Sequence, residues 1–288
     1  GLPGDTLAEF EQNLDRLIGV FTNINIFGYT LLPGTEFYEK REEYKIDAIP
    51  VAGYGKAKGE YVVGCHTFGR DEGVEGYFLI SGHIMLIRGY IMPLTARYLA
   101  LHKGVPVSAL FRAALRAIAQ EFQPLLPELD LSDRMCVYEN RDQLYIAALG
   151  QPERLYAVLD AALEGWLVQH GADDTTVAHA RAVLSIDQAL CPRVGRAQVL
   201  DQHFAFDARR VAFHLNRMEL PSADSFAAAG PAGEAGASVR ITHPGGVGEV
   251  LRDPDGGSWF RGQLVEQATA AVVEPKAALP REGSPALP

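Results

Sequence analysis

The sequence predicts a mixed α/β opening, then a mainly α-helical chain, then a disordered tail. Three observations carry that prediction. Residues 22–40 read as a strand, a Pro-Gly turn and a helix; residues 72–190 hold successive stretches of helical apolar spacing; and Ala, Gly and Pro dominate after Pro221.

A loop, Gly1-Leu2-Pro3-Gly4-Asp5-Thr6, leads directly into a helix. Leu7, Phe10, Leu14, Leu17, Ile18 and Phe21 recur at helical spacing, and Thr6 with Glu9 makes a capping box. In the next stretch Ile24, Ile26 and Gly28 alternate with Asn25, Phe27 and Tyr29. Their β-branched and aromatic content suits a strand covered on both faces. Pro33-Gly34 ends it, and Thr35 is placed to cap a helix from Glu36 to about Tyr44 with an acidic first turn.

Taken together, GLPGDT and, about thirty residues later, LLPGTEFYEK resemble the last third of the barrel of radical S-adenosylmethionine (SAM) enzymes, most closely their cobalamin-dependent branch. The resemblance aligns residues 1–44 with the end of the fifth strand, its helix, the sixth strand and the helix after it. It therefore implies a remnant of a (βα) partial TIM barrel. The family's CxxxCxxC cluster loop follows its first strand, and no such spacing occurs here; Asp5 stands where the family usually has Glu. The sequence opens inside a motif, so it is expected to be a C-terminal fragment, inactive alone. Its absent N-terminal part would hold the 4Fe-4S ligands and any cobalamin domain.

Residues 45–60, with Pro50, Gly53, Gly55 and Gly59 and no apolar period, read as a loop, and residues 61–65 as a short strand. Thr67 or Asp71 is placed to cap a long helix beginning near Glu72. In the family such a turn marks the change from barrel to helical domain. The expected division is thus 1–69 barrel, 70–220 helical domain and 221–288 tail. The first long helical pattern runs to His102 with a break near Pro93, and its apolar residues Phe78, Ile80, Leu86 and Ile91 lie nearly all round, marking a central element. A second helix follows Pro106, with Leu110, Phe111, Leu115, Ile118 and Phe122 on one face. Residues 132–149 read as two short strands or a broken helix. Pro152 opens another helix closed by Gly171, and Asp173-Asp174 starts one ended by Pro192. Residues 198–216, with Phe204-Ala205-Phe206-Asp207, resemble the family's final aromatic-acidic segment. Beyond Pro221 the chain lacks apolar surface to offset ordering entropy, except for residues 239–265, which are open to one hairpin around residues 243–246.

Composition narrows the partners. At 288 residues, 48% hydrophobic and 22% charged, the chain can bury a core. A net charge of -10 argues against nucleic acid or an anionic membrane as main partner. Three scattered cysteines, Cys65, Cys136 and Cys191, suit reduced thiols in a cytoplasm better than a disulfide framework. The opening residues carry no signal-peptide pattern, and the most apolar run, residues 77–92, is interrupted by His83 and Arg88 and is too short for a membrane span.

The chemistry expected of the chain comes from the resemblance. In the family, the loop after the fifth strand and the backbone after the sixth line the adenine pocket. The matching positions are Gly1, Leu2, Pro3 and Gly4, then Leu31, Leu32 and Pro33. Small residues allow backbone approach to a planar base, and leucines pack against it. Asn25 and Tyr29 are candidate substrate contacts, and equally suited to packing a barrel interior. His66 beside Cys65 points to the opposite strand face, so a metal pair is not expected there. His203 and His214 lack a third ligand for zinc, and His83, in an apolar helix, reads as a satisfied core residue.

The resemblance implies a full-length enzyme that cleaves SAM and methylates or cyclises an unactivated carbon of a small-molecule substrate with cobalamin. Its electrons would come from a donor such as a flavodoxin or ferredoxin. Two alternatives stand beside it: a cobalamin-independent relative of the methylthiotransferase or porphyrinogen-oxidase type, and a non-catalytic helical binding module.

Overall fold

The structure, a computed structural model, describes residues 3–21, 24–50, 59–209, 211, 222–228, 236–243 and 272–275. It is mixed α/β and mainly helical, with two small antiparallel sheets. Helix α1 (Leu7–Ile18) starts as its sequence dictates: the Glu9 amide donates to the Thr6 hydroxyl, and the Glu9 carboxylate accepts from the Thr6 amide at 3.1 Å. Thr6→Ala should lower stability by about 1 kcal/mol, a loss of one orphan-donor partner, measurable as a shifted denaturant midpoint with an unchanged slope.

Residues 24–29 do not form the expected strand. Regular pairing is confined to β1 (Thr30–Leu31), beside β3 (Glu60–Gly64) and then β2 (Asp47–Pro50). The reason lies in where the preceding carbonyls go. The Ile24 carbonyl accepts from His83 Nε2 at 2.9 Å, and the Tyr29 carbonyl accepts from both the Tyr77 hydroxyl (3.0 Å) and the Val62 amide (3.1 Å). Two of these three donors are helix side chains and only the Val62 amide belongs to a strand, so no ladder runs through residues 24–29. A barrel remnant implies parallel strands, whereas both neighbours of β3 run antiparallel to it, so no barrel forms among the described residues. Strand β2 falls in a segment whose sequence reads as loop; its Pro50 ends the strand, where a missing N–H is tolerated. The helix after the second turn, α2 (Glu36–Glu39), is a single turn that stops short of Tyr44, and Thr35 donates its hydroxyl to the Leu32 carbonyl instead of capping.

Helix α3 (Arg70–Gly82) is capped differently from the expectation. Its N-cap is Gly69, whose amide donates to the Glu72 carboxylate at 3.0 Å, while the Thr67 hydroxyl accepts from the Gly4 amide at 3.1 Å. A π-helical turn (His83–Arg88) follows, then a break holding Tyr90 at a positive φ of 56°, then α4 (Pro93–Lys103), bent 107° from the preceding helix. Among the described residues no single helix is long and apolar enough to cross a membrane, although this bent pair together has the length and composition.

Helices α5 (Val107–Phe122), α8 (Pro152–Gln169) and α9 (Asp174–Leu190) complete the body at the positions their apolar spacing marks. Between them residues 132–149 form the broken-helix alternative, α6 (Arg134–Glu139) and α7 (Arg141–Leu149), hinged at Asn140. Phe111, Leu115, Ile118 and Phe122 of α5 are fully buried, and Leu14 and Ile18 of α1 join the same core. The first and second parts of the chain thus share one apolar interior.

Two segments of the tail pair in a sheet with the chain before it. Strand β4 (Gln198–Phe204) binds β5 (Ala237–His243), which binds β6 (Val272–Pro275), all antiparallel, and a short α10 (Ala223–Ala228) lies between the first two. Ala237, Val239, Ile241 and His243 face inward along β5, an alternation that supplies the apolar surface the composition hides. The hairpin turn placed at residues 243–246 falls largely outside the described residues, and β5 pairs instead with 198–204 and 272–275.

Candidate functional site

A cleft of about 140 Å³, open to solvent, lies between the first turns of α1, residues 27–29 and one face of α3. Three facts of local folding shape it. The capping box fixes Thr6 and Glu9 at its rim, and the Thr6 hydroxyl donates to the same carboxylate at 2.8 Å. Gly28 lies so close to Tyr77 that an added Cβ would sit 2.0 Å from the ring, so only glycine passes there. On α3, Gly73 and Gly76 present bare backbone where the helix lines the cleft.

The walls are set from behind by an ion network and an aromatic cluster. Glu75, buried on α3, pairs with Arg112 of α5 and Arg134 of α6, each at 2.5 Å, and Arg112 also meets Glu11 of α1. Tyr77 packs its ring against Tyr61 and Tyr138, with centroids at 5.3 and 4.8 Å. Burial raises its hydroxyl far above the usual phenol range, so it stays protonated and donates to the Tyr29 carbonyl. Tyr29 is also raised by burial.

The electrostatics of the lining are one-signed. Asp5, Glu9 and Glu72 contribute carboxylates, and no Lys, Arg or His is among the described lining residues. Two of these carboxylates are engaged in capping, Glu9 by the Thr6 amide and hydroxyl and Glu72 by the Gly69 amide.

The structure distributes the residues singled out from sequence unevenly. Gly1 and Leu2 lie outside the described residues. Gly4 adopts a positive φ of 111°, which its residue type permits, and with Pro3 it leads into the rim residue Asp5. Leu31 is fully buried against Val62 and Phe68, behind the cleft wall, while Leu32 and Pro33 are exposed beyond it. Tyr29 lines the cleft; Asn25 is exposed and does not. Phe27, Asn13, Glu72 and Gly76 line it without having been singled out. Two glycines three apart inside a helical pattern were the available signal, since each weakens a helix and calls for a reason.

No group of three or more His, Cys, Asp or Glu among the described residues could hold a metal ion. The cysteines are occupied elsewhere: Cys65 Sγ lies 3.2 Å from the Thr67 hydroxyl, Cys136 Sγ accepts from the Asp130 amide at 3.2 Å, and burial pushes the Cys191 thiol up to about 12. His83 is fully buried as a core residue, its imidazole lowered to about 4 by desolvation and its Nε2–H given to the Ile24 carbonyl, but it is only half satisfied, since its buried Nδ1 has no hydrogen-bond partner among the described residues. His66 is exposed beside a half-buried Cys65.

No protein-family model matches the chain, and no curated protein matches it.

Proposed function

We propose that this chain is the C-terminal part of a cytoplasmic radical SAM enzyme of the cobalamin-dependent kind, and that the α1–α3 cleft receives the adenosyl end of SAM. One observation carries the reading. Asp5 and Thr6 of the first motif and the helix they open line one wall of a cleft, and Phe27, Gly28 and Tyr29, which precede the second motif, line it too, although no residue of LLPGTEFYEK does. The helical body after residue 70 supports the cobalamin branch over a methylthiotransferase, for which a compact basic RNA-binding domain is expected.

The residues present fit an adenosyl group. A ring has the bare backbone of Gly76 to lie against and Phe27 beside it, and ribose hydroxyls or an amino group have rim carboxylates as acceptors. They do not fit a 4Fe-4S cluster or supply a cobalamin ligand set, so those groups are assigned outside the described residues. When bound, SAM supplies the deoxyadenosyl radical after one-electron cleavage of its sulfonium bond. The chain's own part is to orient the nucleoside and, through the Tyr77–Tyr61–Tyr138 cluster, to keep the floor beneath it rigid. In the whole enzyme a flavodoxin or ferredoxin would be the electron donor, and a small molecule the substrate to be methylated or cyclised.

The antiparallel pairing around β3 favours a second reading, a non-catalytic helical module that binds a small molecule in the same cleft. Anaerobic reconstitution of the complete protein with iron and sulfide separates the two. Cluster absorbance, bound cobalt and deoxyadenosine formed from SAM are expected; a complete reading frame without CxxxCxxC, or no deoxyadenosine after reconstitution, leaves the module.

A further inference from the structure

Residues 24–29 are fastened to the helical body at their first residue by a histidine that has no exposure to solvent. His83 gives its Nε2–H to the Ile24 carbonyl, across 59 residues of sequence, and Ile24 and Ile26 pack on the core beside it. In that tautomer Nδ1 is the unprotonated ring nitrogen, buried and without a hydrogen-bond partner among the described residues. Each element around the ring adds a neighbour. Its own π-helical turn brings Arg88, α4 brings Arg97, and α5 brings the apolar ring of Phe111, with centroids 6.3 Å apart. Both arginines are buried as well, and the Asp187 carboxylate of α9 acts on Arg97. The Ile24 segment itself offers the ring a carbonyl and apolar side chains.

From this arrangement we infer that His83 is an acid-released clasp: neutral, it holds residues 24–29 on the helical body, and on taking a second ring proton it lets that segment go. A protonated ring carries a donor at Nδ1 and a positive charge. Neither is accommodated in the buried site, because the donor has no acceptor and Arg88 and Arg97 repel the charge. The direction with pH follows from burial, which lowers the docked imidazole from its ordinary 6.5 to about 4; the Ile24 hydrogen bond opposes this, and the two arginines add to it. A released ring regains its ordinary value, so release takes up a proton. Attachment therefore weakens as pH falls from about 6.5 toward 4 and is level above that window. The other end of the segment does not titrate there, since the Tyr77 hydroxyl that donates to the Tyr29 carbonyl is held far above the usual phenol range. Opening thus starts at Ile24 and carries Phe27 and Gly28 away from the cleft they line. The clasp concerns how this wall is attached and stands whether or not the cleft receives an adenosyl group.

Hydrogen exchange of the whole chain tests this, read by mass spectrometry on peptides covering residues 24–29 and α5 between about pH 7.5 and pH 4.5, and corrected for the intrinsic pH dependence of exchange. In the wild type, protection of residues 24–29 should fall at least about tenfold across that range while α5 stays protected. His83→Gln, which keeps a donor for the Ile24 carbonyl and takes no proton, should hold the protection level. His66→Gln, at an exposed histidine, should follow the wild type. Where His83→Gln does not fold, the imidazole resonance of His83 in the wild type decides: it should change only as the protection of residues 24–29 is lost. Unchanged protection across the range, a fall that His83→Gln retains, a ring that titrates at its ordinary 6.5 with the segment still protected, or a parallel loss in α5 overturns the clasp.

Discussion

Asp187→Ala is expected to destabilise the protein by on the order of 3 kcal/mol, seen as a Tm lowered by several degrees in a thermal melt. Asp187 is fully buried on α9, yet its carboxylate serves the beginning of α4. It accepts from the Leu94 amide at 3.0 Å, the Thr95 amide at 2.8 Å and the Thr95 hydroxyl at 2.7 Å. These are orphan donors of a helix that opens with Pro93, and at zero exposure no water replaces the lost acceptor. Alanine would also remove the negative charge that offsets part of the burial of Arg97. The result should exceed that of an exposed cap, because the unsatisfied groups would stay inside.

The same residue makes a prediction about pH. Burial raises the Asp187 carboxyl to about 7, against the lowering effect of the Thr95 and Leu94 hydrogen bonds and of Arg97; Tyr156 and Cys191 nearby stay protonated, raised by burial. In the folded protein the carboxyl therefore holds its proton at pH values where the unfolded chain has lost it. Between about pH 4 and pH 7 the native state binds more protons, so stability from this group falls as pH rises through that window and is level above it. Asp187→Asn, which keeps an acceptor oxygen and cannot ionise, should flatten this segment of the Tm–pH curve. A wild-type curve and an Asn curve that run parallel from pH 4 to pH 7 would refute the raised value.

How much of this was legible in the sequence depends on where each residue's partners lie. The helices were readable because apolar residues such as Leu110, Phe111, Ile118 and Phe122 repeat at the helical period and face one core. Residues 24–29 misled because their alternation is that of a strand, whereas their carbonyls are claimed by His83 and Tyr77, more than forty residues away. Local pattern carries no information about such donors. The extended character of β5 was legible from residue 239 on, but its partners were not, because β4 and β6 lie more than thirty and almost thirty residues away in sequence. The cleft was half legible: the Gly-rich loop and Tyr29 border or line it, while its floor is two helical glycines whose different causes only the packing distinguishes.

That difference gives the other large effect. Gly73→Ala should destabilise by about 3 kcal/mol or more, the upper range for overpacking, because the obstacle is backbone and cannot turn aside. The new Cβ would lie 1.9 Å from the Val63 oxygen, 2.5 Å from its carbonyl carbon and 2.9 Å from its Cα. Helix α3 would have to lift from β3, where Val62 and Val63 are buried and where β1 and β2 both pair. The disturbance should therefore reach the whole first sheet and the cleft wall, lowering the urea midpoint and quenching any ring binding together. Gly76→Ala, one helical turn further along the same cleft, should move the midpoint the opposite way. Opposite signs from one substitution at two neighbouring glycines would follow from contact with Val63 in one case and open space in the other; equal signs would mean that α3 does not sit on β3 as the backbone distances require.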